Sequence, residues 1–273
     1  MPSAETVFDA LRTTSDTVAA VANAIPDWST PTPAPGWTVG HQVAHLTWTD
    51  EVSLVAAQSG GAAAGTDADG FAALVQLAVQ DPHGFVDKGA QRVLDEAGDA
   101  LPARWASARA ALVDALAAAD PGTPLPWFGP PMRPHTMATA RIMETWAHGL
   151  DIADAAGIDL DAPQALPFVA RIGYKTRDYA YHVNGQTPPA EPFDVLLTAA
   201  DGTEITFGPG DSAQRVTGPL LDFCRLVTQR VARADTALVA VGDDAAHWLT
   251  IAQCFAGAPG VGRAATGTDE GSR

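Results

Sequence analysis

Arg141-Ile142-Met143-Glu144-Thr145-Trp146-Ala147-His148 is the stretch that decides the reading of this chain. Its residue types favour helix, and a spacing of four puts the Glu144 carboxylate and the His148 imidazole on one helical face, one turn apart. Far upstream, Val43-Ala44-His45-Leu46 places another histidine inside a second apolar helix. Two imidazole nitrogens and one carboxylate oxygen meeting across a bundle form a three-ligand site for a divalent ion. Such a site leaves a position open for water or substrate. The plainer alternative is a solvated polar face or an i,i+4 ion pair. Against it, Met143, Trp146, Ala147, Leu150 and Ile152 flank the pair and leave this helix little polar surface. Burying Glu144 and His148 without partners is costly, and a shared metal would satisfy both.

Working outward, apolar residues recur at helical spacing in 3–25 (Val7, Leu11, Val18, Val21, Ile25), with Ser3 able to cap and Pro26 ending the element. The proline-rich segment 29–36 predicts a stiff loop. Thr38 then serves as N-cap for a helix to about residue 58. Residues 60–70 are small and predict a mobile link. Shorter helical pieces follow at 71–79 and 85–95, then a long helix at 101–119. A second proline-rich stretch, 121–134, precedes the helix that carries Glu144 and His148 to about residue 156. Four long helices with long connections predict a bundle. After Gly157 the texture changes. A helix is expected over 163–182, strands over 193–198, 204–207, 213–216 and 237–241, and helices over 220–231 and 245–255. Asp201-Gly202 marks a hairpin turn. The fold class is therefore α+β: a bundle over 1–160, a small domain of helices on an antiparallel sheet over 161–263, and a polar, Gly-containing disordered tail over 264–273.

The 273 residues suit two ordinary domains, and the 47% apolar content is enough for a core. A net charge of -16 argues against a nucleic-acid-binding surface. No apolar run of membrane-spanning length and no basic, apolar leader occur, which predicts a soluble cytoplasmic protein. Cys224 and Cys254 lack C-x-x-C spacing and sit in apolar helical context, so both read as buried free thiols.

Pro33-Ala34-Pro35-Gly36-Trp37-Thr38-Val39 followed by Val43-Ala44-His45-Leu46 resembles the first signature of the mycothiol-dependent maleylpyruvate isomerase-like family, within the DinB/YfiT-like metal-dependent superfamily. Glu144-Thr145-Trp146-Ala147-His148-Gly149-Leu150-Asp151 is similar to its second metal motif. The segments 216–224, 227–230 and 251–257 resemble the C-terminal part of one uncharacterised branch. The resemblance spans about Thr6 to Arg263. It implies a DinB-type four-helix bundle, a divalent metal (usually zinc) held by His45, Glu144 and His148, and a C-terminal α/β domain. It also implies mycothiol as cosubstrate, used to isomerise a double bond or to transfer the thiol.

The chemistry asks for a metal-stabilised thiolate as nucleophile and for a cation opposite the charge that develops on the electrophile. Arginine suits the second role because its fork pairs with carboxylate. Arg230 is the first candidate and Arg225 the second, with Arg171 and Arg177 as further options; the alternative for each is a surface ion pair. His41, one turn before His45, is a possible fourth ligand. Asp151 is either a partner orienting an imidazole or a helix-end charge. Trp37 and Trp146 either wall the site or pack the core. Three functions stay open at this stage: a thiol-dependent metalloenzyme acting on a small electrophile, a thiol-independent hydrolase, cyclase or lyase, and a non-catalytic metal or ligand binder. A monomer or homodimer fits each.

Overall fold

A computed structural model describes residues 4–59, 68–82 and 84–266. The link 60–67, the last seven residues of the expected tail, Ser3 and His83 lie outside the described residues. The chain divides into two compact units, Met1–Ala165 and Leu166–Arg273.

In the first unit, α1 (Ala4–Asn23), α2 (Val39–Ser59), α5 (Leu101–Ala118) and α6 (Pro134–Ala156) form the four-helix bundle. The shorter α3 (Ala68–Gln80) and α4 (Phe85–Ala97) pack on α2. α2 is the central element. It touches α3, α4, α5 and α6, and its buried residues cover every side of the helix. That fits its sequence, which carries no lysine or arginine and keeps its two acids, Asp50 and Glu51, paired with arginines. Leu46, Trp105, Leu112, Leu116, Met137, Ile142 and Trp146 form the core. Two glycines permit the close approaches. A Cβ on Gly89 of α4 would lie 2.4 Å from the Trp48 ring, and one on Gly149 of α6 would lie 2.5 Å from Val18 of α1. The proline-rich segment before α2 is a tight hairpin, with Thr32 N–H donating to Trp37 C=O and Val39 N–H to Thr30 C=O. Thr38 caps α2 by accepting the His41 N–H at 3.4 Å.

In the second unit, strands β1 (Phe193–Thr198), β2 (Glu204–Phe207), β3 (Gln214–Pro219) and β4 (Val239–Val241) pair in the order β2-β1-β3-β4. β1 runs antiparallel to β2 but parallel to β3, with Val195 opposite Val216, so the sheet is mixed rather than antiparallel as the sequence predicted. The six residues between β2 and β3 carry the chain across, and buried Asp194 anchors them by accepting the N–H groups of Gly210 and Ser212 at 2.7 and 2.8 Å. Phe193, Val195, Leu197 and Val216 face the core with Phe223 of α9 (Leu220–Val227) and Trp248 of α10 (Asp243–Ile251).

The helix expected over 163–182 is divided into a 3-10 turn, α7 (Leu166–Lys175) and α8 (Arg177–Val183), with Thr176 at the break. α9 stops at Val227, short of the predicted 231. Gln229 takes φ 59°, Gln229 N–H bonds Leu226 C=O, and Arg230 N–H bonds Arg225 C=O at 2.7 Å. This is a Schellman closure with glutamine where glycine is usual, so no residue type announced the stop.

Candidate metal centre

α2 and α6 bring His45, Glu144 and His148 together. One donor atom from each lies within 4.8 Å of the others. Glu144 Oε2 sits 3.4 Å from His45 Nε2 and 3.4 Å from His148 Nε2. Charge-assisted N–H···O bonds close to about 2.7–2.9 Å, so these contacts are too long for optimised ion pairs. Tetrahedral zinc with bonds of roughly 2.0–2.1 Å separates neighbouring donors by about 3.3–3.4 Å, the edge of the tetrahedron. The two measured separations match that edge, and the borderline-soft N,N,O donor set is one zinc accepts. The residues present therefore fit the metal.

Electrostatics keep the carboxylate in its ligating form. Burial pushes Glu144 up, but with the imidazoles protonated, hydrogen bonds from His148 and His45 and the attraction of both cationic rings outweigh it and hold the group well below the usual carboxylate range. The site is not sealed: the Glu144 side chain is 26% exposed, against 7% for His45. Trp37 covers the imidazoles, its ring 5.3 Å from His45 and 5.9 Å from His148, nearly parallel to the latter. Trp48 approaches His45 from another side at 6.3 Å.

Sequence reasoning missed Gln42. It is fully buried one turn before His45, and its Oε1 lies 2.5 Å from His148 Nδ1. Its Nε2 donates to Thr32 Oγ1 at 2.9 Å, and Thr32 Oγ1 donates to Trp37 C=O at 2.9 Å. Also missed was the buried pair Asp50–Arg141, at 3.0 Å, with Trp105 Nε1 donating to the other Asp50 oxygen at 3.1 Å. His45 Nδ1 and Arg141 Nη2 are buried without a hydrogen-bond partner.

The other expected residues are placed as follows. His41 is outside the ligand group. Its Nδ1 meets Thr38 Oγ1 at 2.8 Å and its Nε2 meets Gln91 Oε1 at 3.1 Å. Asp151 is buried on α6, and Trp146 is buried in the core. Arg225 and Arg230 lie at the end of α9 in the second unit, where Arg230 Nη1 donates to Thr228 C=O at 2.6 Å. Arg171 lies on α7. Arg177 is committed to Asp178, to the carbonyl of Glu191 and to the Phe193 ring. Both cysteines are buried, and no disulfide joins them.

Residues 8–153 match the family described as "Mycothiol maleylpyruvate isomerase N-terminal domain". The chain belongs to this family. It is also 50% identical over 255 residues to the Mycobacterium tuberculosis proteins described as uncharacterized protein Rv0036c and uncharacterized protein MT0041, covering 93% of this chain and 96% of each relative. Its fold resembles crystal structures of the mycothiol-dependent maleylpyruvate isomerase, with TM-score 0.60 for a point mutant and 0.55 for a second structure. Both cover 88% of this chain and 93% of the other at 15% identity, a likeness of fold across both units. Among the described residues no helix is long and apolar enough to cross a membrane.

Proposed function

We propose that this chain is a divalent-metal-dependent enzyme, with zinc the fitting ion, that uses mycothiol or a similar low-molecular-weight thiol to isomerise a small electrophilic substrate or to transfer the thiol to it. The observation that carries the reading is the pair of 3.4 Å separations between Glu144 and the two imidazoles. Family membership and the names of the structural relatives supply the thiol. When bound, zinc would lower the pKa of a coordinated thiol and act as a Lewis acid.

The chain's own residues supply the rest. His45 and His148 present Nε2 toward the open centre, Glu144 stays ionised, and Trp37 screens the ligands from water on one side. In isomerisation the thiolate sulfur forms a C–S bond to an alkene carbon and the π pair moves to the conjugated carbonyl. Rotation follows, and return of the pair breaks the C–S bond, so the thiol is regenerated. In transfer the C–S bond persists and the carbanion takes a proton.

The test is metal content by mass spectrometry paired with calorimetric titration of mycothiol into the purified protein. Stoichiometric zinc with saturable thiol binding is expected. Zinc without thiol binding would move the assignment to a thiol-independent metalloenzyme, and no metal after reconstitution would overturn the proposal. Arg230, carried over from the resemblance, is proposed as the cation for the electrophile. Arg230→Ala should slow turnover more than it lowers metal content.

A further inference from the structure

His41 on α2 and His148 on α6 each meet a glutamine, and both glutamines turn Oε1 to the ring, one to Nε2 and the other to Nδ1. Gln91 Nε2 donates to the Asp95 carboxylate at 2.8 Å, which can only accept. Gln91 therefore turns its carbonyl oxygen to His41 Nε2, and that nitrogen must carry the proton. His41 Nδ1 is then the acceptor, and the Thr38 hydroxyl donates to it. For His148 the chain starts at the Trp37 carbonyl, also a pure acceptor. It takes the Thr32 hydroxyl proton, so Thr32 Oγ1 accepts from the Gln42 amide. Gln42 then presents Oε1, and His148 Nδ1 is the nitrogen that donates.

We infer that Gln42, oriented by Thr32 and the Trp37 carbonyl, is a positioning residue that holds His148 in its Nδ1–H tautomer and so keeps the Nε2 lone pair free for the metal. The inference rests on the metal reading above. It also assigns a task to the proline-rich hairpin, whose closed geometry sets Thr32 against Trp37 and thereby faces the amide. His41 has the same four-residue spacing from His45 as Glu144 has from His148. Its protonated Nε2 and capped Nδ1 leave no lone pair for an ion, which separates a ligand from a bystander on one helix.

Imidazole 15N shifts of the metal-free protein, at a pH where the rings are neutral, test the tautomers directly. Nδ1–H is expected for His148 and Nε2–H for His41. An Nε2–H signal for His148 would overturn the inference whether or not the protein binds zinc, so this arm fails separately from the metal reading. Zinc affinity by competition with a chromophoric chelator is the second readout. Gln42→Met, of similar length but without an acceptor, should weaken zinc about 10–100-fold, the usual loss when an outer partner of a ligand is removed. Gln42→Glu, whose carboxylate still accepts from Nδ1–H, should restore the affinity. Thr32→Val, which leaves Gln42 itself in place, should weaken zinc in the same direction and covers the case in which Gln42→Met does not fold. Unchanged affinity in Gln42→Met, or equal losses in Gln42→Met and Gln42→Glu, would reduce Gln42 to a packing residue.

Discussion

Replacing Arg141 by methionine isolates what the deepest ion pair of the bundle contributes. Arg141 and Asp50 each expose 3% of their side chains, so water cannot take over when one is removed. Losing one partner of a buried pair costs about 3–5 kcal/mol, because the other charge is left uncompensated. For a unit of this size that corresponds to a fall in Tm of roughly 6–20 °C. The cost should depend on pH. Burial already holds Asp50 above the usual carboxylate range, against the pull of Arg141 and the Trp105 hydrogen bond. Without Arg141 the rise is larger. A carboxyl whose folded pKa is raised favours folding when protonated, and the penalty grows as pH climbs from the ordinary carboxylate pKa toward the folded one. Arg141→Met should therefore be less destabilised at pH 5 than at pH 8. Six of the seven tryptophans lie in the first unit, so urea unfolding followed by fluorescence reads mainly this bundle. The double variant Asp50→Leu with Arg141→Met should recover most of the loss, since apolar replacement of a whole buried pair is often neutral or stabilising. A single variant within about 1 kcal/mol of wild type, or a double variant no better than the single, would refute the reasoning.

His45→Ala and His148→Ala should each lose stoichiometric zinc in mass-spectrometric metal analysis, and full retention in both would remove them as ligands. Gly89→Ala should destabilise by about 1–3 kcal/mol in urea titration, because its Cβ would lie 2.4 Å from the Trp48 ring; a neutral result would mean α4 yields freely. Burial, and secondarily Cys254, raise the Cys224 thiol well above its ordinary pKa. Native protein should therefore react with a thiol reagent far more slowly than unfolded protein. As pH rises past the ordinary thiol pKa the unfolded form ionises and the folded one does not, so Cys224→Ala should lessen the loss of stability with rising pH.

The pairing of Glu144 with His148 was legible because helical spacing fixes which side chains share a face, and apolar neighbours implied that the face is buried. Spacing does not fix what each polar atom bonds. His41 and His45 are related by the same step as Glu144 and His148, yet only a tertiary contact with Gln91 shows that His41 is engaged elsewhere. Gln42 left no trace because a lone glutamine in an apolar helix has no motif, and Thr32 was hidden in a segment read only as stiff. In the second unit, strand residues were recognisable from their pattern. The parallel pairing of β1 with β3 was not, since alternation says nothing about which strand the chain pairs with next. The ends of α7 and α9 lack the glycine or proline that usually marks a stop.

The paired residues show how the candidate site is spaced. Gln42 meets His148, His45 meets Glu144, and Asp50 meets Arg141. Numbers rise along α2 as they fall along α6, so the helices run antiparallel and the pairs form three rungs of one polar seam. The outer rungs are closed: 2.5 Å at the Gln42 end and 3.0 Å at the Asp50 end. Only the middle rung stays open, at 3.4 Å on both sides of Glu144. The seam is held tight at both ends and spread at its centre, where the Glu144 side chain is 26% exposed. The two Glu144 separations equal the donor spacing of the zinc site proposed above, and the closed outer rungs flank it.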